Sequence, residues 1–290
     1  MRAFVSAGAL AFAIAWMAAD AAPAAAQGAK TSNVRISYEE PRDPSLRPVY
    51  RRLVQRQVLE RLQKFLSPLR LPRELVVRTA QCGGISLPRK PGDGVTLCYE
   101  FVAQVEKQAP PPDDVNTVGA AFVTTNMAIV GPVVHLLLHD VSLAVFEMLE
   151  IPVWGHVVDA ADHVAAFLML QFGPDVAQKT IFGAALYLTK ADQTYDPQSV
   201  NPHVMQRYYN ILCMAVGHDL VRYASLIPLK RPPQPGDLPL GRVGQCASLE
   251  PSDYTEYGRV RLAFIALFLE EHIDEGMMRE IQTVDWLKQD

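Results

Sequence analysis

The segment from Asn116 to Leu149 constrains the fold more than any other part of the chain, because it is apolar on nearly every side. A helix without a polar face is a buried one. We therefore predict a core helix here, kinked or restarted at Gly131-Pro132, where a proline interrupts main-chain hydrogen bonding. A further buried helix is expected from Asp159 to Phe172, with Asp159 as its N-cap.

The rest of the chain predicts short strands first and helices afterwards. β-rich runs indicate strands at 33–38, 75–80 and 95–102, the last two forming one hairpin. Apolar spacing predicts helices at 49–66, 176–188, 202–216 and 254–271. The 202–216 helix should stop at Gly217, and 231–244 should be a loop. This order predicts an α+β class, with a small antiparallel sheet and an N-terminal helix followed by a mainly helical bundle.

Residues 1–26 have the composition of a secretory signal. Arg2 supplies positive charge, residues 3–17 are mostly apolar, and Ala24-Ala25-Ala26 offers small residues for cleavage. We expect a secreted or periplasmic protein without a stable membrane span after cleavage; the alternative is an uncleaved anchor. Residues 27–290 then form a single domain, with a helix-plus-hairpin part at 27–112 and a helical part at 113–290.

The charge balance excludes one class of partner. The chain carries 27 Lys and Arg residues against 31 Asp and Glu, a formal net charge of −4. No basic block stands out in the sequence, so a nucleic-acid partner is not expected.

The four cysteines predict a disulfide framework. An even number in an exported chain favours two disulfides, for which three pairings exist. We favour Cys82 with Cys98 and Cys213 with Cys246, because each pair closes a short loop between adjacent elements. No C-x-x-C spacing is present, which argues against a redox or zinc-knuckle motif.

The motif with the most chemical content is His139-Asp140-Val141-Ser142-Leu143, followed by Asp159-Ala160-Ala161-Asp162. In H-E-x-x-H zinc proteases, two imidazoles one helical turn apart hold the metal, and the Glu takes a proton from the bound water. Here the first His is present, the Glu is shortened to Asp140, and the second His is replaced by Leu143.

With these elements in order, the chain resembles a family of exported bacterial metallopeptidase-like proteins of the zincin, gluzincin-like type. The resemblance covers most of the chain after the signal, and its strength lies in the order and spacing of several short runs. These runs are Cys82-Gly83, Thr96-Leu97-Cys98-Tyr99-Glu100, the eight residues from His139 to Phe146, Leu149-Glu150-Ile151-Pro152-Val153, Gly155, Asp159-Ala160-Ala161-Asp162 and the eight residues from Gln206 to Cys213.

The resemblance implies a zinc held by two His and one Glu, with an Asp hydrogen-bonded to a ligand. His139 matches a ligand and Asp162 matches the outer Asp. The general-base position holds Asp140, and the other two ligand positions hold Leu143 and Val158. A lone imidazole cannot retain trace zinc, so we expect no cofactor and regard His139 and Asp140 as vestiges of the family's site.

Three functions are compatible with this pattern. The first is a metallopeptidase-like protein that has lost catalysis, a pseudoenzyme. The second is a binding or scaffold protein whose former cleft, now apolar, takes an unidentified peptide or protein ligand. The third is a metal-dependent hydrolase with a relocated site around His135 and His139, which lie one helical turn apart. Its further ligands would come from the facing segment: His156, Asp159, Asp162 or His163.

For all three functions we expect Asp162 to have the same structural role. It should orient the His139 ring from the following helix, where a carboxylate favours the imidazolium and burial opposes it. Replacing Asp162 by Ala should then strand a buried imidazole, at a cost of about 1–3 kcal/mol.

Overall fold

The computed structural model describes residues 33–87, 92, 94–114, 116–153, 155–191, 204–229, 231–234, 236–247 and 255–264. Within them, short strands come first and long helices follow, which confirms the predicted α+β class. The predicted signal at 1–26 and the outer parts of the predicted 202–216 and 254–271 helices lie outside the described residues. The domain division stays a prediction.

The main sheet has the strand order β1 (Val34–Tyr38), β2 (Leu75–Ala80) and β3 (Val95–Cys98), and neighbouring strands pair in parallel. The prediction of an antiparallel sheet with β2 and β3 as one hairpin is therefore wrong. A parallel pair needs a connection of about a dozen residues, and residues 81–94 supply it. The Pro and Gly residues in this segment resemble those of a tight turn, which explains the error.

The helix predicted at 49–66 is two helices, α1 (Arg47–Gln55) and α2 (Val58–Leu66). They are separated by Gln57, whose backbone is left-handed with φ of 51°. On an unbroken helix Leu53 and Leu59 would point to different sides, because six residues do not complete whole turns. The break lets both side chains enter the core, where they are buried.

The strand predicted at 95–102 ends at Cys98, and a helix that was not predicted from the sequence follows it. This helix, α3 (Tyr99–Gln108), buries Tyr99, Phe101, Val102 and Val105. The spacing of its last two buried valines is that of a helix face rather than of an alternating strand.

The predicted core helix begins later than expected. Residues 116–123 form a small antiparallel hairpin of β4 (Asn116–Val118) and β5 (Ala121–Val123). The long helix α4 (Thr125–Met148) then follows, and its N-cap is Thr124, whose hydroxyl accepts a hydrogen bond from Met127 N. The predicted restart at Gly131-Pro132 is wrong, because α4 continues through it as one helix; the alternative, a kink at this pair, stays a prediction.

Close helix packing explains the glycine in that pair. A Cβ atom on Gly131 would lie 2.5 Å from Ala184 N, and one on Gly183 would lie 1.7 Å from Met127 O. Both glycines therefore permit α4 to approach the backbone of α6 (Pro174–Ala191). Gly131 is needed for this contact and does not mark a helix end.

Helix α5 (Val157–Leu170) crosses the same core and contacts both α4 and α7 (Val204–His218). Its N-cap is His156, so the prediction that Asp159 caps the helix is wrong; Asp159 lies in the first turn. Gly217 does not stop α7 either. A Cβ there would lie 2.3 Å from Cys246 O, so this glycine serves close packing.

The predicted loop at 231–244 contains the start of a short helix, α8 (Leu240–Cys246), and α9 (Glu256–Phe264) follows. The disulfides are Cys82–Cys98 and Cys213–Cys246, the pairing favoured from the sequence. Because Ala80 pairs with Cys98 in the parallel register, Cys82 lies just past the end of β2 and next to its partner.

Among the described residues, α4 alone is long and apolar enough to cross a membrane by length and composition. In its most apolar 18-residue window, 72% is buried inside the fold. Packing against α5 and α6 accounts for that apolar surface.

Candidate functional site

Four polar side chains meet where α4, α5 and α7 pack together. His135 and His139 project from α4 one helical turn apart, Asp162 comes from α5, and Arg207 comes from α7. Asp162 is fully buried, and each imidazole residue is only 6% exposed. A polar group buried in this way is stable only when it is paired, so the arrangement of these four groups is decisive.

Asp162 is the centre of this polar cluster. Its Oδ1 atom lies 2.7 Å from His139 Nδ1 and 3.3 Å from His135 Nε2. Arg207 grips the same carboxylate with two nitrogens: Nε donates to Oδ2 at 2.5 Å, and Nη2 donates to Oδ1 at 2.9 Å. A bidentate interaction of this kind fixes the position of the carboxylate and favours its ionised form.

These contacts keep Asp162 ionised. Burial raises the pKa of its carboxyl, but Arg207 and the two imidazoles outweigh burial and hold the pKa well below its usual range. For His135, burial dominates and lowers the pKa, since the nearby Asp162 carboxylate only partly offsets it. His135 Nε2 makes no hydrogen bond of good geometry within the described residues.

Arg207 is surrounded by acids. Burial lowers the pKa of its guanidinium, but hydrogen bonds and charge from Asp162 raise it above the usual value. The charges of Asp159 and Asp140 act in the same direction, so both carboxylates lie near this side chain. Asp140 is only partly buried, and one oxygen of Asp159 is buried without a hydrogen-bond partner in the described part of the chain.

Arg207 was not predicted from the sequence as a site residue, although it lies in one of the runs that carry the family resemblance. The signal was a lone cation in an apolar helix: Tyr208, Ile211 and Leu212 beside it are fully buried. A charge in such a helix needs a buried counter-charge, and Asp162 provides it.

The comparison with protein families is decisive for identity. A family model described as "putative metallopeptidase" matches residues 38–257, which is most of the chain. The chain belongs to this family. No curated protein matches it, and no solved structure matches it. The family predicted from the sequence is therefore confirmed, while the finer zincin type stays a prediction.

A zinc ion of the kind that family membership implies does not fit the residues present. His139 directs Nδ1 at Asp162, which would leave Nε2 for a metal, the usual arrangement of a carboxylate-oriented ligand. The other two expected ligand positions hold the aliphatic side chains of Leu143 and Val158, which offer no donor atom. Within the described residues, no group of three or more His, Cys, Asp or Glu side chains is arranged to hold a metal.

The groups named for a relocated site are only partly brought together. His135, His139 and Asp162 converge, as their distances indicate. His163 lies elsewhere, with Nε2 2.7 Å from Glu256 Oε1. His156 is exposed at the N-cap of α5. Arg207 already occupies both oxygens of Asp162, so a metal there would have to displace a bound cation.

Two cavities formed by described residues lie away from His139. The smaller, about 30 Å³, lies between Arg73, Gly94 and Glu147, and Glu147 closes it by accepting hydrogen bonds from Arg73 and Gly92 N. The larger, about 290 Å³, lies at the far end of α5 between Gln171 and Arg222. Neither is lined by Leu143 or Val158.

Proposed function

We propose that this chain is an exported member of the metallopeptidase family that has lost zinc binding and catalysis. The observation that carries the proposal is the state of the Asp162 carboxylate. It is bound by Arg207 and His139, while the positions that should complete a metal site carry Leu143 and Val158. What remains is a set of hydrogen-bonded charges beside the His135 imidazole, whose Nε2 makes no hydrogen bond within the described residues.

The loss of metal removes the chemistry. Zinc in such a site lowers the pKa of bound water and polarises the scissile carbonyl, and Asp140 can do neither alone.

The polar cluster has a structural role in this proposal. Arg207 and Asp162 offset each other's charge between α5 and α7, and the His139 imidazole of α4 contacts the same carboxylate. The cluster therefore joins three helices at a point where apolar packing is interrupted. A buried pair in such a position resists removal of either partner.

Export is the second part of the proposal. It is supported by the composition of residues 1–26 and by the two disulfides, which persist mainly in oxidising compartments. Fractionation of cells expressing the full chain should find it outside the cytoplasm, shortened at its N-terminus close to Ala26. Full-length protein in the cytoplasm would contradict this part alone.

The relocated metal site and the apolar binding cleft compete with this proposal. The first requires Asp162 to exchange Arg207 for a metal, which is unfavourable because the guanidinium bond is two-pronged and buried. For the second, His139 is buried, and neither described cavity lies over it.

The decisive experiment restores the missing ligands. We expect the double substitution Leu143→His with Val158→Glu to gain zinc, because His139 Nε2 is already oriented by Asp162. A matched control, Leu143→Asn with Val158→Gln, adds polar groups of similar size without good zinc ligands. Zinc content and cleavage of a general peptidase substrate are measured on wild type and both variants.

The outcomes separate the interpretations. Zinc in the revertant but not in wild type or the control supports a decayed family site. Zinc in wild type that survives in the control and disappears in His139→Ala would overturn the proposal and favour a relocated site. Peptide cleavage by metal-free wild type would contradict it as well.

A further inference from the structure

Residues 47–73 differ in charge from the rest of the chain. They form α1, α2 and the turn that follows, and they contain eight Lys or Arg residues against one acid, Glu60, a formal charge of +7. The whole chain carries −4, so the remainder carries −11. Apolar residues separate these cations, so they form no continuous block in the sequence. Folding nevertheless gathers them on two short neighbouring helices.

The outer sides of these helices hold four of the cations. Helix α1 buries Leu53, and α2 buries Leu59 and Leu62, so the apolar sides of both helices face the core. The cations left outside the core, three of them exposed and the last partly exposed, are Arg51, Arg56, Lys64 and Arg61. We call these four residues the basic surface. Successive members are three to five residues apart, about 5–8 Å along a helix, which is within the Debye length at physiological salt.

Neighbouring cations are paired with acids, whereas the basic surface is not. Arg52 Nη2 lies 2.5 Å from Glu106 Oε2, and Arg73 Nη2 lies 3.1 Å from Glu147 Oε1. In the part of the chain that the structure describes, no ion pair involves a member of the basic surface. Counting Glu60 as one negative charge against its four positive charges, the basic surface keeps a net charge of +3.

The shape and chemistry of the basic surface favour an extended array of phosphates. Neither of the two cavities described above is lined by any of its members. Small-molecule sites are concave, and a single small anion on the outer side of two helices would stay largely in water. Three of the four cations are arginines, whose planar guanidinium matches the oxygens of a phosphate group in a bidentate interaction.

We infer that the basic surface docks this protein on a phospholipid bilayer with anionic headgroups. A bilayer presents many phosphates to one side of a protein, which fits four cations on neighbouring helices. The rest of the chain, at −11, is repelled by the same headgroups, so the protein binds in one orientation. The contact is peripheral and electrostatic. It goes beyond the proposed function and does not depend on the loss of zinc.

The test is sedimentation with lipid vesicles at low salt, using protein purified after expression of the full chain. Vesicles of phosphatidylglycerol and phosphatidylcholine in equal amounts are anionic, whereas phosphatidylcholine alone has phosphates without net charge. We expect binding to the anionic vesicles at millimolar lipid, because each cation near such a bilayer contributes about fivefold in affinity. Neutral vesicles should not bind. Binding should also be lost at about 1 M salt, where the Debye length is about 3 Å.

Double variants test whether the basic surface makes the contact. Arg51→Gln with Arg56→Gln should weaken vesicle binding about thirtyfold, the effect of two cations. Arg51→Lys with Arg56→Lys keeps the charge and should weaken binding much less. The control is Arg259→Gln with Arg261→Gln, which removes the same charge from α9 and should leave binding unchanged. All four arginines are exposed, so each variant should melt close to wild type.

Amine acetylation followed by mass spectrometry gives the orientation. Lys64 belongs to the basic surface, and Lys179 is an exposed lysine of α6. Anionic vesicles should protect Lys64 from acetylation and leave the reactivity of Lys179 unchanged. A purely structural role of the basic surface would not produce this difference.

Several outcomes would contradict the inference. Absence of binding to anionic vesicles would remove it altogether. Equal binding to neutral vesicles would mean that an apolar segment makes the contact. Equal weakening by the α9 control, or equal protection of Lys179 and Lys64, would mean that the basic surface is not the docking side. Soluble polyphosphate that binds more tightly than the vesicles, at equal phosphate concentration, would assign the basic surface to a linear polyanion instead.

Discussion

Two arginine–aspartate pairs in this molecule have nearly the same geometry and different consequences. Arg207 and Asp162 join helices α7 and α5, 45 residues apart in sequence, whereas Arg231 and Asp237 are six residues apart in one loop. The arginines are similarly exposed, at 24% and 25%, and both aspartates are buried. The exposed fraction of the side chain therefore does not distinguish the pairs, but depth does: burial is the largest influence on the pKa of Arg207, whereas the hydrogen bond to Asp237 is the largest influence on the pKa of Arg231.

The neighbours of the carboxylate distinguish them. Asp237 accepts a further hydrogen bond from Gln234 N, a main-chain group of its own loop. Asp162 instead lies against His139 and His135 on a third helix. The loop pair stabilises a local turn whose arginine can return to water. The helix pair holds the polar centre of the core, where α4, α5 and α7 pack together.

The largest effect should come from Asp162→Ala. It leaves the Arg207 guanidinium without its counter-charge and strands the His139 imidazole, so we expect a loss of about 3–5 kcal/mol in the free energy of unfolding. The earlier figure of about 1–3 kcal/mol counted only the imidazole. Chemical denaturation is the measurement, with Asp175→Ala, at an 84% exposed side chain, as the control. A loss below about 1 kcal/mol would contradict a central role for Asp162.

Arg207→Lys should have the next largest effect. Lysine keeps the charge but replaces a two-pronged bond with a single point contact, and we expect a loss of about 1–3 kcal/mol. The matched change in the loop is Arg231→Lys, for which we expect a smaller loss because burial has less influence on Arg231 than on Arg207. Equal losses in the free energy of unfolding of the two variants would show that the two pairs contribute equally to stability.

A smaller effect is expected from Asp237→Ala. The variant loses the contacts of Asp237 with Arg231 and Gln234 N, but Arg231 can be solvated, so a loss of about 1–2 kcal/mol is expected. The hairpin turn at Gly119 lies close to Asp237, so local hydrogen exchange there should rise more than exchange in α5. Uniform destabilisation of the whole fold would show that the loop pair is not local.

The smallest effect concerns acid. Burial raises the pKa of Asp237, but hydrogen bonds from Arg231 and Gln234 N outweigh it, and the net pKa is lowered. A lowered carboxyl pKa adds stability above the unfolded value of about 4, which is lost as pH falls through the folded value. Between pH 5 and 3 the free energy of unfolding should therefore fall less steeply in Asp237→Asn than in wild type. A steeper fall in Asp237→Asn than in wild type would mean that the pKa of Asp237 is raised in the folded protein rather than lowered.

The sequence predicted the order of elements better than their connections. Strand β1, strand β2 and the C-terminal helices follow from local apolar spacing, which depends only on neighbouring residues. The parallel pairing of β2 with β3 does not, because it depends on which strand edge the chain reaches after residues 81–94. The packing role of Gly131 and Gly183 could not be predicted either, because each glycine is required by a contact with another helix.

The site was predictable in part for the same reason. The spacing of His139 and Asp162 on successive helices allowed their 2.7 Å contact to be expected from the family pattern. Arg207 lies 45 residues after Asp162, and no local pattern relates them. The role of His139 as a former metal ligand, that of Asp140 as a former base and that of His135 in a relocated site stay predictions.

The most direct test of the account is the zinc content of wild-type protein purified without chelator from cells supplied with zinc. We expect far less than one zinc per chain, and no change in that amount on replacing His139 by Ala. Near-stoichiometric zinc that disappears in His139→Ala would contradict the account, because it would mean that the cluster around Asp162 holds a metal after all.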